Sequence, residues 1–274
     1  GLGQFSMVFK KIDSTARAEI GKDDYTFEDV KNIEGENQDI KITKRVFSIF
    51  HKLGIEKSDL QEMGSQSDKY SAYWLNFDFN PKAGMPSSGS EYGNNHYGGE
   101  HSEHGTHVAG IIAATRENNI GAQGVAYGSA EIMVLRAVPD GDERDLDVAN
   151  ALRYAADNGA NIINMSFGKG ISPSKKLVYD AMEYAATKNV LIIHAAGNDS
   201  EDIDVTDNYP NDDGLDDAGK KSFLCIGATS PTKGKKLLAS FSNYGNESVA
   251  LFAPGEDIYS TLPGNKYGYR SGTS

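Results

Sequence analysis

The sequence predicts an α/β chain in three layers: a mostly parallel β-sheet with helices on both faces, plus a helical insertion near the N-terminus. Two observations carry this. From about residue 73 short apolar runs alternate with amphipathic stretches of helical length, the pattern of strands joined by crossover helices. Before that point, residues 22–72 are polar and helical in period, and glycine is sparse there; glycine-rich punctuation begins at Gly84.

Taken in order, Val46, Phe47, Ile49, Phe50 and Leu53 recur at near-helical spacing, with Gly54 suited to the position just past a helix end. Residues 58–63 suggest a second short helix, and 80–89 a loop rich in Gly, Pro and Ser. Residues 104–115 read as a helix of small and apolar residues. The run 132–138 reads as a buried strand. Val148, Leu152 and Ala155 mark one face of a helix ending near Gly159, and 161–165 is the next strand. Ser172-Pro173 has the chemistry of a helix start, with Leu177, Ala181 and Ala185 facing inward. Residues 190–195, 223–228 and 249–253 are further short strands. The predicted division is an insertion over 1–72 and a catalytic core over 73–274.

Composition narrows the function. The 274 residues hold 27 Lys+Arg against 39 Asp+Glu, a net charge of −12, and −10 of it lies in residues 73–274. That balance argues against nucleic acid as a partner, because phosphate neutralisation needs a basic face. One cysteine excludes a disulfide framework and a cysteine zinc cluster. No apolar run approaches the roughly 18 residues of a membrane span, and no leader is visible.

The densest reactive segment is 96–107, which holds four of the six histidines. His101, His104 and His107 at three-residue spacing admit a metal site, or one of them a general base at a helix start, or all of them a solvated loop. Two strands meanwhile end in polar groups, Asn164-Met165-Ser166-Phe167-Gly168 and Ala195-Ala196-Gly197-Asn198, and ligands of parallel sheets bind at such C-terminal ends. The lone Cys225 sits in an apolar strand and reads as an inert buried thiol.

These segments, with His104-Gly105-Thr106-His107-Val108-Ala109-Gly110 and Gly272-Thr273-Ser274, resemble the histidine, oxyanion and nucleophile motifs of the subtilisin-like serine proteases, in the family's order. Residues 239–245 and Ala253-Pro254-Gly255 add lesser matches. The resemblance covers about residues 73–274 and implies a subtilisin-like fold and a serine endopeptidase acting through an acyl-enzyme. It makes Ser274 the nucleophile, His104 the general base and Asn198 the oxyanion donor. Ser166, Phe167, Gly168, Ala196 and Gly197 then bind substrate, and the stretch from Asp140 to Arg144 forms the opposite rim of the groove. The implied partners are polypeptides, with a monomeric enzyme placed outside the cell or in its envelope. The chemistry needs no cofactor and no metal. Structural calcium is common in such a family, and the acidic loops 199–207 and 212–213 offer oxygen ligands without a spacing that assigns a site. The triad aspartate has no clear match: Asp13 is followed by Ser-Thr without glycine, and Asp78 by Phe. The resemblance thus predicts a fragment incomplete at both ends and inactive by itself, with two rival readings, a non-catalytic peptide-binding module and a metalloenzyme on the histidine cluster. The five acids within 139–147 suggest either a preference for basic substrates or an ordinary acidic first turn of a helix.

Overall fold

The computed structural model describes residues 2–22, 25–52, 55, 93–99, 102–138 and 141–274. The expected features at Leu53, Gly54, 58–63, 80–89, Asp78, His101 and Asp140 lie outside these residues, as does the expected boundary at 72/73. The chain divides into two compact units, Gly1–Met85 and Pro86–Ser274.

Among its described residues the first unit has the helices α1 (Leu2–Ile20), α2 (Phe27–Lys31) and α3 (Gln38–Lys52). Phe9, Ile12 and Ala16 recur every three or four residues on α1 and meet Tyr25, Val30, Ile33, Ile40 and Phe47 in a core. The start of α2 is set locally by a capping box. Thr26 Oγ1 accepts the Asp29 N–H at 3.2 Å, and the Asp29 carboxylate accepts the Thr26 N–H at 2.7 Å. On α3 the inward residues are Ile40, Thr43 and Phe47, whereas Ile49 is exposed, so the expected stripe was one residue too wide. Asp13 lies on α1, its carboxylate taken by the Tyr25 hydroxyl at 2.5 Å and Arg17 Nε at 2.7 Å. A helical residue engaged in this way does not stand at a strand end, where the aspartate motif places its acid.

The second unit is built on a four-stranded parallel sheet in the order β1 (Ile162–Met165), β2 (Leu191–Ala195), β3 (Phe223–Thr229), β4 (Leu251–Pro254). Register aligns Met165 with His194 and Ala195 with Ile226, so the ends of β1 and β2 lie side by side. Helices α4 (Glu103–Ala113), α5 (Asp145–Asp157), α6 (Lys175–Thr187) and α7 (Asp217–Lys221) precede or join the strands. Val148 and Leu152 of α5 pack with Val178, Ala181, Met182 and Ala185 of α6 against Met165, Ile192 and Phe223. The chain then closes with an antiparallel hairpin, β5 (Ile258–Leu262) and β6 (Lys266–Arg270).

Three expectations are corrected. Residues 132–138 form no strand, and Ile132, Met133 and Val134 are exposed, because among the described residues no strand pairs with this run. Helix α6 begins at Lys175, not at Ser172-Pro173; the Ser172 hydroxyl donates to Asp145 at 2.8 Å instead of capping. Leu177 is exposed, and Val178 and Met182 take the inner face with Ala181 and Ala185, the i, i+3, i+4, i+7 spacing of one helix face packed against α5 and the sheet.

Candidate active site

Strand β2 delivers its last residues into a tightly held turn. The Ala196 N–H donates to Ile226 O at 2.9 Å, and the Ala196 carbonyl accepts both Asn208 Nδ2 and Asn243 Nδ2 at 2.9 Å. Asn243 is buried; its N–H donates to Gly197 O at 2.9 Å, and its Oδ1 accepts the Asp199 and Glu201 N–H groups at 2.9 and 3.0 Å. Gly197 has φ +102°, and a Cβ there would stand 2.3 Å from Asn243 Nδ2, so both conformation and close approach require glycine.

That turn fixes Asn198. Its Oδ1 accepts the Thr273 N–H at 2.9 Å and the Thr273 hydroxyl at 3.1 Å. Two donors on one oxygen settle the orientation of the amide, and Nδ2 has no hydrogen-bond partner among the described residues. The Thr273 hydroxyl oxygen also accepts the Gly197 N–H at 3.1 Å, and the Gly272 N–H donates to Gly255 O at 2.8 Å. The segment ending in Ser274 is therefore pinned to the end of β2 from two sides. From β1, the Ser166 hydroxyl donates to the Ser274 carbonyl at 3.1 Å and accepts Asn164 Nδ2 at 2.8 Å. Asn198, Ser166 and Ser274, distant in sequence, are thus gathered at adjoining strand ends.

His104 stands in the first turn of α4, exposed at its rim. Partial loss of hydration, and then the neighbouring His107, hold its pKa below the ordinary 6.5, which keeps the imidazole neutral at pH 7. His107 is structural. Its buried Nε2 lies 3.0 Å from Ile258 O and 3.2 Å from Gly268 O, so it carries the proton and ties α4 to the hairpin. The Ser260 and Thr261 hydroxyls donate to His107 O and Thr106 O at 2.8 Å. Strand β6 of that hairpin runs directly into residues 271–274. Among the described residues no hydrogen bond joins His104 to Ser274.

His107 spends its ring nitrogen on carbonyls, and among the described residues no three His, Cys, Asp or Glu side chains converge on a point. In the acidic loop 199–207, the Asp204 carboxylate accepts the N–H groups of Asn246, Glu247 and Ser248, at 2.6 Å for the shortest. Cys225 is buried, and that burial pushes its thiol pKa up to about 12, which leaves it inert. Sequence reasoning gave Asn243 no role beyond a lesser motif; its only signal was the polar string Ser242-Asn243 inside an otherwise apolar-to-glycine run.

The ends of a parallel sheet present an oriented amide and a serine, and a helix that packs on the hairpin leading into Ser274 carries a histidine. Residues 54–274 match the subtilase family, and the chain belongs to it. It is 38% identical over 172 residues to the thermophilic serine proteinase of Bacillus sp. (strain AK1), covering 62% of this chain and 39% of that protein. The cell wall-associated protease of Bacillus subtilis (strain 168) is likewise 38% identical over 172 residues, 62% of this chain and 17% of that one. The major intracellular serine protease of the same organism is 35% identical over 179 residues, 64% and 51% respectively. Among solved structures, the S41 psychrophilic protease superposes with a TM-score of 0.55 at 29% identity, covering 68% of this chain and 62% of its own. The chain spans less than two thirds of each of these proteins.

Proposed function

We propose that this chain carries the histidine, oxyanion and nucleophile parts of a serine endopeptidase site. The observation that carries the reading is the pairing of Asn198 with Thr273, which occupies Oδ1 and leaves the Nδ2 donors without a partner among the described residues, one position along the chain from Ser274. Ser274 Oγ attacks the scissile carbonyl carbon. His104, neutral at pH 7, takes the hydroxyl proton and later returns it to the leaving amine. The negative charge that forms on the carbonyl oxygen is met by Asn198 Nδ2, a donor already in place and so needing no reorganisation. The resulting acyl-enzyme ester is cleared by water with the same histidine as base. Substrate lies extended along Ser166–Gly168, the continuation of β1, on the side that no strand pairs with among the described residues, while Ala196 and Gly197 shape the floor beside the acyl group.

The substrates are polypeptides, and the site of action is the cell envelope or the exterior; relatives named for the cell wall support that placement, and relatives named intracellular stand against it. The acidic stretch 142–147 supports no basic preference, because Asp145 is already paired with Lys169 at 2.7 Å and Asp147 with Arg144 at 2.6 Å. The test is covalent labelling by a serine-directed fluorophosphonate, followed by hydrolysis of a casein-derived peptide set. Labelling that disappears in Ser274→Ala supports the reading. Within the subtilisins loss of one oxyanion donor lowers kcat by roughly 10²–10³, and Asn198→Ala should do the same in a form of the protein that carries the triad aspartate. Labelling that survives Ser274→Ala overturns it.

A further inference from the structure

His194 is the fourth residue of β2, four positions before Asn198, and only 1% of it is exposed. A histidine inside a sheet is costly unless its ring is satisfied. This ring lies against Phe223, with centroids 5.8 Å apart, and its Nε2 is 2.8 Å from the Phe167 carbonyl. Burial holds its pKa down to about 4, so it is neutral; a carbonyl can only accept, so Nε2 bears the single proton.

The bond matters because of where Phe167 lies. Backbone groups of successive strand residues point to opposite sides in the plane of a sheet. On this strand the odd-numbered residues face β2. The Leu191 N–H of β2 donates to Asn161 O at 3.0 Å, and beyond the strand Lys169, the next anchor at an odd position, exchanges both its N–H and C=O with Tyr209 of the loop between β2 and β3, at 3.1 and 2.8 Å. Strand β1 itself ends at Met165, and Phe167 lies between these two anchors with no backbone partner among the described residues. The imidazole supplies the missing inward bond. With Phe167 held inward, the backbone N–H and C=O of Ser166 and Gly168 must face the free edge.

We propose that His194 is a positioning residue for peptide recognition: its Nε2–H holds the Phe167 carbonyl toward β2 and so turns the backbone groups of Ser166 and Gly168 outward to pair with an extended peptide. The inference rests on the endopeptidase reading, and it ties the oxyanion strand to the recognition strand through one side chain.

The test compares the unsubstituted chain with His194→Phe, which keeps a ring but has no donor, and His194→Gln, which keeps a donor. Calorimetric binding at pH 8 is measured for acetyl-Ala-Ala-Ala-Phe, which reaches along residues 166–168, and for acetyl-Phe, which does not. His194→Phe should weaken the tetrapeptide about tenfold, the equivalent of one or two backbone hydrogen bonds, and change acetyl-Phe by less than twofold. His194→Gln should recover most of the loss. Equal weakening of both ligands, or a glutamine no better than phenylalanine, overturns the proposal while the endopeptidase reading stands. Failure of the unsubstituted chain to bind either peptide overturns that reading of the groove and the proposal with it. A further readout needs no substitution: bound tetrapeptide should slow hydrogen exchange at the Gly168 amide and leave Phe167 unchanged, and the reverse pattern overturns the proposal.

Discussion

Glu143 is held at a cost that a single substitution should reveal. It is 4% exposed, and its Oε1 has no hydrogen-bond partner. Burial, opposed by a backbone hydrogen bond and by Lys169, pushes its pKa from the ordinary 4.5 up to about 7. Between those values the folded chain holds a proton that the unfolded chain has released, so stability falls as pH rises from 4.5 to 7 and is level on either side. At about 1.36 kcal/mol for each pH unit, the full cost is about 3 kcal/mol. His194 works in the opposite sense. Its pKa is lowered from 6.5 to about 4, so the unfolded chain binds the extra proton and stability rises with pH across that window. The two slopes oppose each other where the windows overlap, between pH 4.5 and 6.5. Glu143→Gln removes one of them. Urea unfolding followed by circular dichroism from pH 4.5 to 8.5 should show the variant gaining on its parent by about 3 kcal/mol over that range, whatever the offset at pH 4.5. A difference that stays constant with pH would refute the argument that Glu143 is buried protonated.

Other substitutions probe the framework. A Cβ at Gly110 would stand 2.2 Å from Thr261 Oγ1 and 2.4 Å from Ser260 Oγ, so Gly110→Ala should destabilise the docking of α4 on the hairpin by about 1–3 kcal/mol, read as a lowered Tm. The Asp204 carboxylate, held down to about 2 by the Ser248 N–H first and those of Glu247 and Asn246 after it, organises 246–248. Its contribution is complete above the ordinary carboxylate pKa of 3.8 and is lost as pH falls through 2, and Asp204→Asn should speed amide exchange at 246–248 at neutral pH while leaving β3 protected. Phe47 is buried with Tyr25 and Phe27 rings at 5.9 and 5.4 Å, so Phe47→Ala should cost the helical unit about 3–5 kcal/mol, measured by urea unfolding.

Strand ends were readable because reactive loops there keep particular residues in short strings: Ala195-Ala196-Gly197-Asn198 and Gly272-Thr273-Ser274 each occupy a few consecutive positions. Helix α5 was readable from its period, since it buries one continuous face, and strands β1 to β3 from their short apolar runs. The start of α6 was not. Ser172 looks like a cap in isolation, but Asp145, 27 positions away, competes for its hydroxyl. The run 132–138 looks like a core strand because hydrophobicity cannot report whether a partner strand is beside it.

The sequence by itself determined the family, the parallel α/β plan, the small-residue turn at Gly197 and the identities of His104, Asn198 and Ser274 as candidates. Each is a local statement about which atoms are available. Only the tertiary structure decided which of those atoms are left over for chemistry. Thr273 occupies Asn198 Oδ1 and leaves Nδ2, two carbonyls claim His107 and leave His104, and His194 holds Phe167 and frees Ser166 and Gly168. Hydrogen bonds between residues 27 to 161 positions apart make these choices, and no local pattern encodes a bond whose partner lies so far along the chain.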